Sequence, residues 1–210
     1  MKVFAISDLH LSNTCDKPMN IFGPVWEGHF EQICKDWKQK VTNEDVVLIA
    51  GDISWAMKLE DAVIDLNEIS KLPGKIIITR GNHDYWWKSL QYIRSNLNDN
   101  MFAIQNDSLK IGNYVFCGTR GWTVSEDGKY SEEDKKIFDR ELIRLELSLK
   151  GGQKLLNEGD KLICMIHYPP FNSNQEHSEF MQLFEKYKVN KEVFKLYWCL
   201  ETIYVFWDKI

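Results

Sequence analysis

Short apolar runs alternate with amphipathic segments through the first eighty residues, and this alternation most constrains the fold. Three runs rich in β-branched residues predict buried strands at residues 3–7, 45–50 and 75–79. Between them, apolar residues recur at helical spacing, which predicts helices over residues 28–40 and around 59–69. Strands that alternate with helices in this way are typical of βαβ units and a parallel sheet.

The second half of the chain has a different character, so we predict a mixed α/β fold of the α+β kind. We expect antiparallel pairing to begin there, because Gly112 and Asn113 suit a two-residue hairpin turn. The elements predicted in this half are a helix at residues 86–97, strands at 102–104, 108–111 and 114–117, a helix at 131–150, a strand at 160–166 and a helix at 176–187.

Composition and charge exclude several classes of protein. With 44% hydrophobic and 27% charged residues, the 210-residue chain can bury a sizeable core, and we treat residues 1–210 as one domain. The net charge of −5, without a dominant basic run, argues against nucleic acid as a partner. No apolar stretch reaches the length of about 20 residues that spans a membrane. Five widely spaced cysteines, none in a CxxC pair, predict a reduced, cytoplasmic protein.

Residues of the types that bind metals follow the predicted strands. In open α/β sheets, functional side chains gather outside the carboxyl ends of the strands. Asp8 and His10, two residues apart in an extended segment, should point the same way and can hold one ion. Asp52 could bridge two ions, and Asn82 and His167 could bind the second. Oxygen and imidazole ligands without a thiolate suit Mn, Fe, Zn or Ni.

Two such ions, roughly 3.5–4 Å apart, would suit phosphoryl transfer. We leave His83 out of the ligand set and predict that it protonates the leaving oxygen as a general acid. Asp84 would orient the His83 ring and favour its charged form. Arg120 either clamps a substrate phosphate or is a surface loop arginine. We do not expect His29 or His177 to be ligands, because they lie in an amphipathic and a polar segment, respectively.

The motifs Asp-x-His, Gly-Asp and Gly-Asn-His-Asp, followed by a later His, resemble those of the calcineurin-like metallophosphoesterases over residues 7–170. Surrounding segments resemble an uncharacterised bacterial-type subgroup. The resemblance implies a four-layer α/β/β/α sandwich with a centre of two divalent metal ions at the strand ends. It implies that Asp8, His10 and Asp52 bind the first ion. Asp52, Asn82 and His167 would bind the second, with His83 as the acid.

One motif of that family is missing from the sequence. The family carries Gly-His-x-His on a late strand, which supplies one further ligand to each metal. This chain has no histidine after His177 and no glycine after Gly159. We therefore expect a second sheet that is incomplete and a C-terminus that is truncated or altered after about residue 190. Sequencing the gene beyond this point without finding the motif in any reading frame would remove this hypothesis.

These observations predict a hydrolase that acts on the phosphate ester of a phosphorylated small molecule. A metal-bridging water or hydroxide would attack phosphorus while His83 assists the departure of the alcohol. Two alternatives stay open. The first is a metal-binding or scaffold protein that keeps the fold without hydrolysis, because two ligands are absent. The second is a phosphodiesterase or nuclease on the same fold.

Overall fold

The computed structural model describes residues 1–194, which form two compact units. The first unit is Met1–Ala103, and the described part of the second is residues 104–194. Each unit contains one four-stranded sheet. Most of the segment expected to be altered after about residue 190 lies outside the described residues. Whether the second sheet is incomplete therefore stays a prediction, as does the single domain.

The first unit is built on a parallel sheet with the strand order β1-β2-β3-β4. Every residue of the two strands β1 and β2 is buried, which is typical of a parallel sheet covered on both faces. The parallel pairing places the carboxyl ends of β1, β2 and β3 at the same edge. The strands are β1 (Val3–Ile6), β2 (Val46–Ile49), β3 (Lys75–Ile78) and β4 (Met101–Ala103).

Three α-helices belong to the first unit, and one of them is shorter than predicted. The helices are α1 (His29–Lys40), α2 (Leu59–Ser70) and α3 (Leu90–Arg94), and two 3₁₀ turns, Met19–Phe22 and Pro24–Trp26, precede α1. The predicted helix at residues 86–97 is wrong in its first part. Trp86 and Trp87 are buried in a turn, and Ser89 caps the helix by accepting a hydrogen bond from the backbone N–H of Tyr92 (3.3 Å).

The second unit combines a hairpin with parallel strands. Its strands are β5 (Ser108–Ile111), β6 (Tyr114–Thr119), β7 (Lys161–Ile166) and β8 (Lys191–Val193), and its helices are α4 (Glu132–Gln153) and α5 (Glu179–Lys186). Strands β5 and β6 are antiparallel, as the turn at Gly112 and Asn113 predicts, and β6, β7 and β8 are parallel. The antiparallel structure begins later than expected, because β4 pairs in parallel with β3.

The described residues therefore contain two sheets and five α-helices, which confirms the predicted mixed α/β class. The sequence did not predict β8, a run of three half-buried residues too short to show a period. Within residues 1–194, the structure has no helix that combines the length and the apolar character needed to cross a membrane.

Glu146 links α4 to the end of α5. Its carboxylate accepts hydrogen bonds from Lys186 Nζ (2.8 Å) and Tyr187 Oη (3.0 Å), and Lys150 Nζ lies 3.4 Å away. These donors, Lys186 first, lower the pKa of Glu146 from 4.5 to about 2. Because folding lowers the pKa of Glu146, its ionised carboxylate stabilises the folded state. This stabilisation is complete above about pH 4.5 and is lost as the pH falls toward about 2.

We expect Glu146→Gln to lower the free energy of unfolding at neutral pH by up to about 1 kcal/mol, as befits a partly exposed ion pair. The difference from the wild type should shrink as the pH falls from about 4.5 toward 2. Urea unfolding across this range measures it, with Glu158→Gln at an exposed position as the control. A difference that stays constant down to about pH 2 would show that the carboxylate charge is not the cause.

Candidate metal centre

Three metal-ligating side chains meet at the carboxyl edge of the first sheet. Asp8 and His10 follow β1, and Asp52 follows β2. One ligand atom from each residue lies within 4.8 Å of the others. His10 Nε2 is 3.5 Å from Asp8 Oδ1 and 3.7 Å from Asp52 Oδ2. His10 and Asp52 are buried and Asp8 is half-buried, so the site is largely shielded from solvent.

The donor set fits a divalent cation. Ligand atoms about 2.1 Å from one ion, at near-tetrahedral angles, lie about 3.5 Å from each other. The spacing around His10 Nε2 matches that value. Two carboxylates this close repel each other unless a cation offsets their charge. The other ring nitrogen, His10 Nδ1, is buried and has no hydrogen-bond partner among the described residues. Carboxylate and imidazole together suit borderline divalent metals.

All three candidate ligands have left-handed backbone. Asp8, His10 and Asp52 have φ of 58°, 47° and 55°, and they are three of the five non-glycine residues with positive φ in the described chain. The expectation that Asp8 and His10 project from an extended segment is therefore wrong. Instead, the left-handed backbone at Asp8 and at His10, on either side of Leu9, brings their two side chains together. Left-handed backbone costs an ordinary residue about 1–2 kcal/mol, so surrounding contacts must hold it in place.

Backbone hydrogen bonds continue from the sheet into the two loops that carry these ligands. The N–H of Asp8 donates to Gly51 O (3.0 Å), and the N–H of His10 donates to Asp52 O (3.0 Å). Leu11 N–H then donates to the carbonyl of Ile53 (2.9 Å). The loops after β1 and β2 therefore run side by side, which keeps the three candidate ligands close together.

Asp84 organises the backbone around Asp52. Its buried carboxylate accepts five hydrogen bonds, from the N–H groups of Gly81 (2.7 Å), Ile53 (2.8 Å), Asp52 (2.9 Å) and Ser54 (3.3 Å) and from the indole Nε1 of Trp86 (3.1 Å). These contacts differ from the orienting contact with the His83 ring that the sequence suggested. Burial and the Asp52 carboxylate raise the pKa of Asp84, while the N–H donors oppose that rise.

Gly81 allows the loops after β2 and β3 to touch. A Cβ atom at Gly81 would lie 2.1 Å from Asp52 Oδ1 and 2.3 Å from Asp52 N. The same Asp52 Oδ1 accepts a hydrogen bond from the backbone N–H of His83 (2.8 Å). Only glycine lets the backbone at residue 81 come this close to Asp52. The close contact fixes the position of the His83 N–H relative to the Asp52 carboxylate.

An aromatic cluster surrounds the imidazole of His83. The ring of Trp55 stacks on His10 with centroids 4.4 Å apart, and it lies 4.7 Å from the ring of His83. The ring of Tyr85 lies 6.2 Å from the ring of His83 and meets it edge to face. Sequence reasoning gave Trp55 no role. Its place three residues after Asp52, in a loop already assigned to the site, was the available signal.

Comparison with known proteins shows the family of the chain. A model of the family described as calcineurin-like phosphoesterase matches residues 1–194. The chain is a member of the calcineurin-like phosphoesterase family. The uncharacterized protein MJ1445 of Methanocaldococcus jannaschii is 29% identical over 100 residues, which are 45% of this chain and 53% of that protein. The chain thus spans about half the length of this curated relative.

The chain also resembles several solved structures, among them PptH and AQ665. The phosphopantetheinyl hydrolase PptH of Mycobacterium tuberculosis has a TM-score of 0.51 and 12% identity, covering 92% of this chain and 81% of that one. The protein of unknown function AQ665 of Aquifex aeolicus has a TM-score of 0.45 and 16% identity, covering 90% and 87% of the two chains. At 12% identity, the likeness to PptH shows a shared fold.

The second set of ligands expected for a calcineurin-like phosphoesterase is divided between the two units. Asn82 directly follows Gly81 in the first unit and is half-buried. His167 directly follows β7 in the second unit and is buried, and its backbone N–H donates to Arg120 O (3.0 Å). The structure brings together Asp8, His10 and Asp52, and the binding of a second ion by Asn82 and His167 stays a prediction.

Two arginines bear on the question of an anionic substrate. The guanidinium of Arg120 lies 3.8 Å from the buried Glu141 carboxylate and 4.6 Å from the ring centre of Trp122, and its side chain is only 13% exposed. These contacts are those of an arginine inside the second unit, and a phosphate contact stays a prediction. Arg80, which the sequence reasoning passed over, precedes Gly81. Its Nε is buried and has no hydrogen-bond partner among the described residues.

Proposed function

We propose that this phosphoesterase hydrolyses the phosphate ester of a phosphorylated small molecule with the help of divalent metal ions. The observation that supports this most strongly is the shielded cluster of Asp8, His10 and Asp52, in a chain that belongs to the family. Under this proposal Asp8, His10 and Asp52 hold a first ion, and Asp52, Asn82 and His167 hold a second. Mn, Fe, Zn or Ni suits these donors. Such ions, when bound, lower the pKa of water and offset the charge of the phosphate.

His83 is the proposed general acid. Its backbone is fixed by the hydrogen bond to Asp52 Oδ1, and its half-buried ring lies against Trp55, which restricts how it can turn. In the reaction, a P–O bond forms to water and the ester P–O bond breaks. The ring would give its proton to the departing ester oxygen, so that the products are an alcohol and inorganic phosphate. Asp84 contributes by holding the loop of Asp52 in place.

We expect His83→Asn to keep the metal ions and to lower kcat about 10²–10⁴-fold, because it removes proton transfer without removing a ligand. The loss should be larger for an alkyl phosphate than for p-nitrophenyl phosphate, since a poor leaving group depends more on protonation. Steady-state kinetics with added Mn²⁺, together with Mn²⁺ titration, measures both effects. His177→Asn, at an exposed histidine outside the site, is the control. Loss of metal from the His83 variant would show that His83 is a ligand.

The wild-type protein decides between this proposal and its alternatives. Turnover of p-nitrophenyl phosphate with stoichiometric Mn²⁺ would support a phosphomonoesterase. Faster turnover of bis(p-nitrophenyl) phosphate would favour a phosphodiesterase or nuclease. Stoichiometric metal without any turnover would favour a binding or scaffold protein.

The cysteines of residues 1–194 are free thiols, which suits the proposed cytoplasmic location.

A further inference from the structure

His29, a histidine outside the proposed ligand set, contacts the segment that carries two of the ligands. It is the first residue of α1 and is half-buried. Its Nε2 lies 2.8 Å from the carbonyl oxygen of Leu9, the residue between Asp8 and His10. Its Nδ1 lies 3.1 Å from the carbonyl oxygen of Trp26. Carbonyl oxygens only accept hydrogen bonds, so the ring must be the donor.

The carbonyl of Leu9 needs a donor from outside its own loop. Leu9 is 1% exposed and lies between two left-handed residues, Asp8 and His10. The backbone hydrogen bonds that join this loop to the next one use the N–H groups of Asp8 and His10. Both of these N–H groups donate to the loop after β2, so neither is available to Leu9 O. A buried carbonyl without a donor destabilises the conformation that buries it.

We propose that His29 is a positioning residue of the metal centre. Its Nε2–H donates to Leu9 O and fixes the peptide plane between the two left-handed turns. That plane determines where the side chains of Asp8 and His10 point. The inference rests on the proposed function to the extent that it requires the centre to bind a divalent cation.

Packing against the Trp26 ring holds the imidazole in place for this contact, because an Nδ1 without a proton is an acceptor and makes no hydrogen bond to a carbonyl oxygen. Trp26 O faces Nδ1, and the rings of Trp26 and His29 meet edge to face with centroids 5.6 Å apart. A neutral imidazole carries one N–H, so only the tautomer protonated at Nε2 can serve Leu9. The start of α1 is thereby connected to the loop after β1 through one side chain.

Two amide variants separate the roles of the two nitrogens. The side-chain amide nitrogen of glutamine can replace Nε2, and that of asparagine can replace Nδ1. We expect His29→Gln to keep the Mn²⁺ affinity of the wild type within about threefold, and His29→Asn to lose about 10–100-fold, as for other residues that orient metal ligands. Calorimetric titration of Mn²⁺ into the full-length, metal-free proteins measures the affinity. Urea unfolding of the same metal-free proteins shows whether both variants are folded alike.

The pattern across the variants decides the inference. The inference is supported if His29→Gln keeps the Mn²⁺ affinity and His29→Asn loses it, while the metal-free forms of the two variants are equally stable. Equal affinity in both variants, whether lost or retained, overturns it, because the donor to Leu9 would then not matter. A wild-type protein that binds no Mn²⁺ in the same titration overturns the proposed function and the inference together. His177→Gln should leave the affinity unchanged.

Discussion

Gly81→Ala should abolish Mn²⁺ binding and lower the free energy of unfolding by about 3 kcal/mol. The added methyl group would lie 2.1 Å from Asp52 Oδ1 and 2.3 Å from Asp52 N. Neither atom can move away easily. The nitrogen is part of the backbone and donates to Asp84, and the carboxylate is buried and accepts from the N–H of His83. Relief of the clash must therefore separate the loops after β2 and β3, which displaces Asp52 from Asp8 and His10.

Gly128→Ala is the matched control for this variant. No atom lies within 4 Å of a Cβ atom at Gly128, although its φ of 72° is left-handed. Alanine there should cost about 1 kcal/mol through its backbone alone and leave Mn²⁺ binding unchanged. Urea unfolding and Mn²⁺ titration of both variants give the comparison. Wild-type Mn²⁺ affinity in Gly81→Ala would mean that the contact between Gly81 and Asp52 does not shape the site.

Asp84→Asn should lower the free energy of unfolding by about 3–5 kcal/mol. One carboxylate oxygen of Asp84 accepts from three N–H groups and the other from two, those of Asp52 and Gly81. Whichever oxygen becomes an NH₂ group, at least two N–H donors then face another donor in a buried site. The loop of Asp52 loses its anchor, so Mn²⁺ affinity should fall about 10–100-fold as well.

An aspartate on the surface provides the control for Asp84→Asn. Asp139 is 51% exposed and pairs with Lys135 four residues before it on α4. Asp139→Asn makes the same chemical change and should alter stability by no more than about 0.5 kcal/mol. Both variants are compared by urea unfolding and Mn²⁺ titration. Equal stability of the Asp84 and Asp139 variants would show that the carboxylate charge of Asp84 is dispensable for the loop.

The sequence predicts the parallel strands well, because each is a buried apolar run flanked by clear helical periodicity. It also predicts that Asp8, His10 and Asp52 converge, since parallel strands bring their carboxyl ends to one edge. The helix expected from residue 86 is the main error. The apolar spacing that suggested this helix includes Trp86. That residue is buried in a turn, and its indole N–H donates to Asp84.

Contacts between distant residues account for what the sequence could not show. Asp84 binds the N–H groups of Asp52 and Ile53, which precede it by 32 and 31 positions. His29 reaches Leu9 across 20 positions. A pattern of apolar and polar residues indicates which side of an element is buried. It contains no information about which backbone group a buried polar side chain will meet.

The left-handed backbone at Asp8, His10 and Asp52 has a consequence for how this sequence can evolve. Asparagine, aspartate and histidine tolerate such backbone better than other side chains, but only glycine adopts it without strain, so glycine is the locally favoured choice at all three positions. Selection for thermal tolerance alone would therefore enrich glycine there and erase the carboxylate and imidazole donors. Retention of Asp, His and Asp at these positions requires selection for what the side chains do, at the expense of a more robust fold.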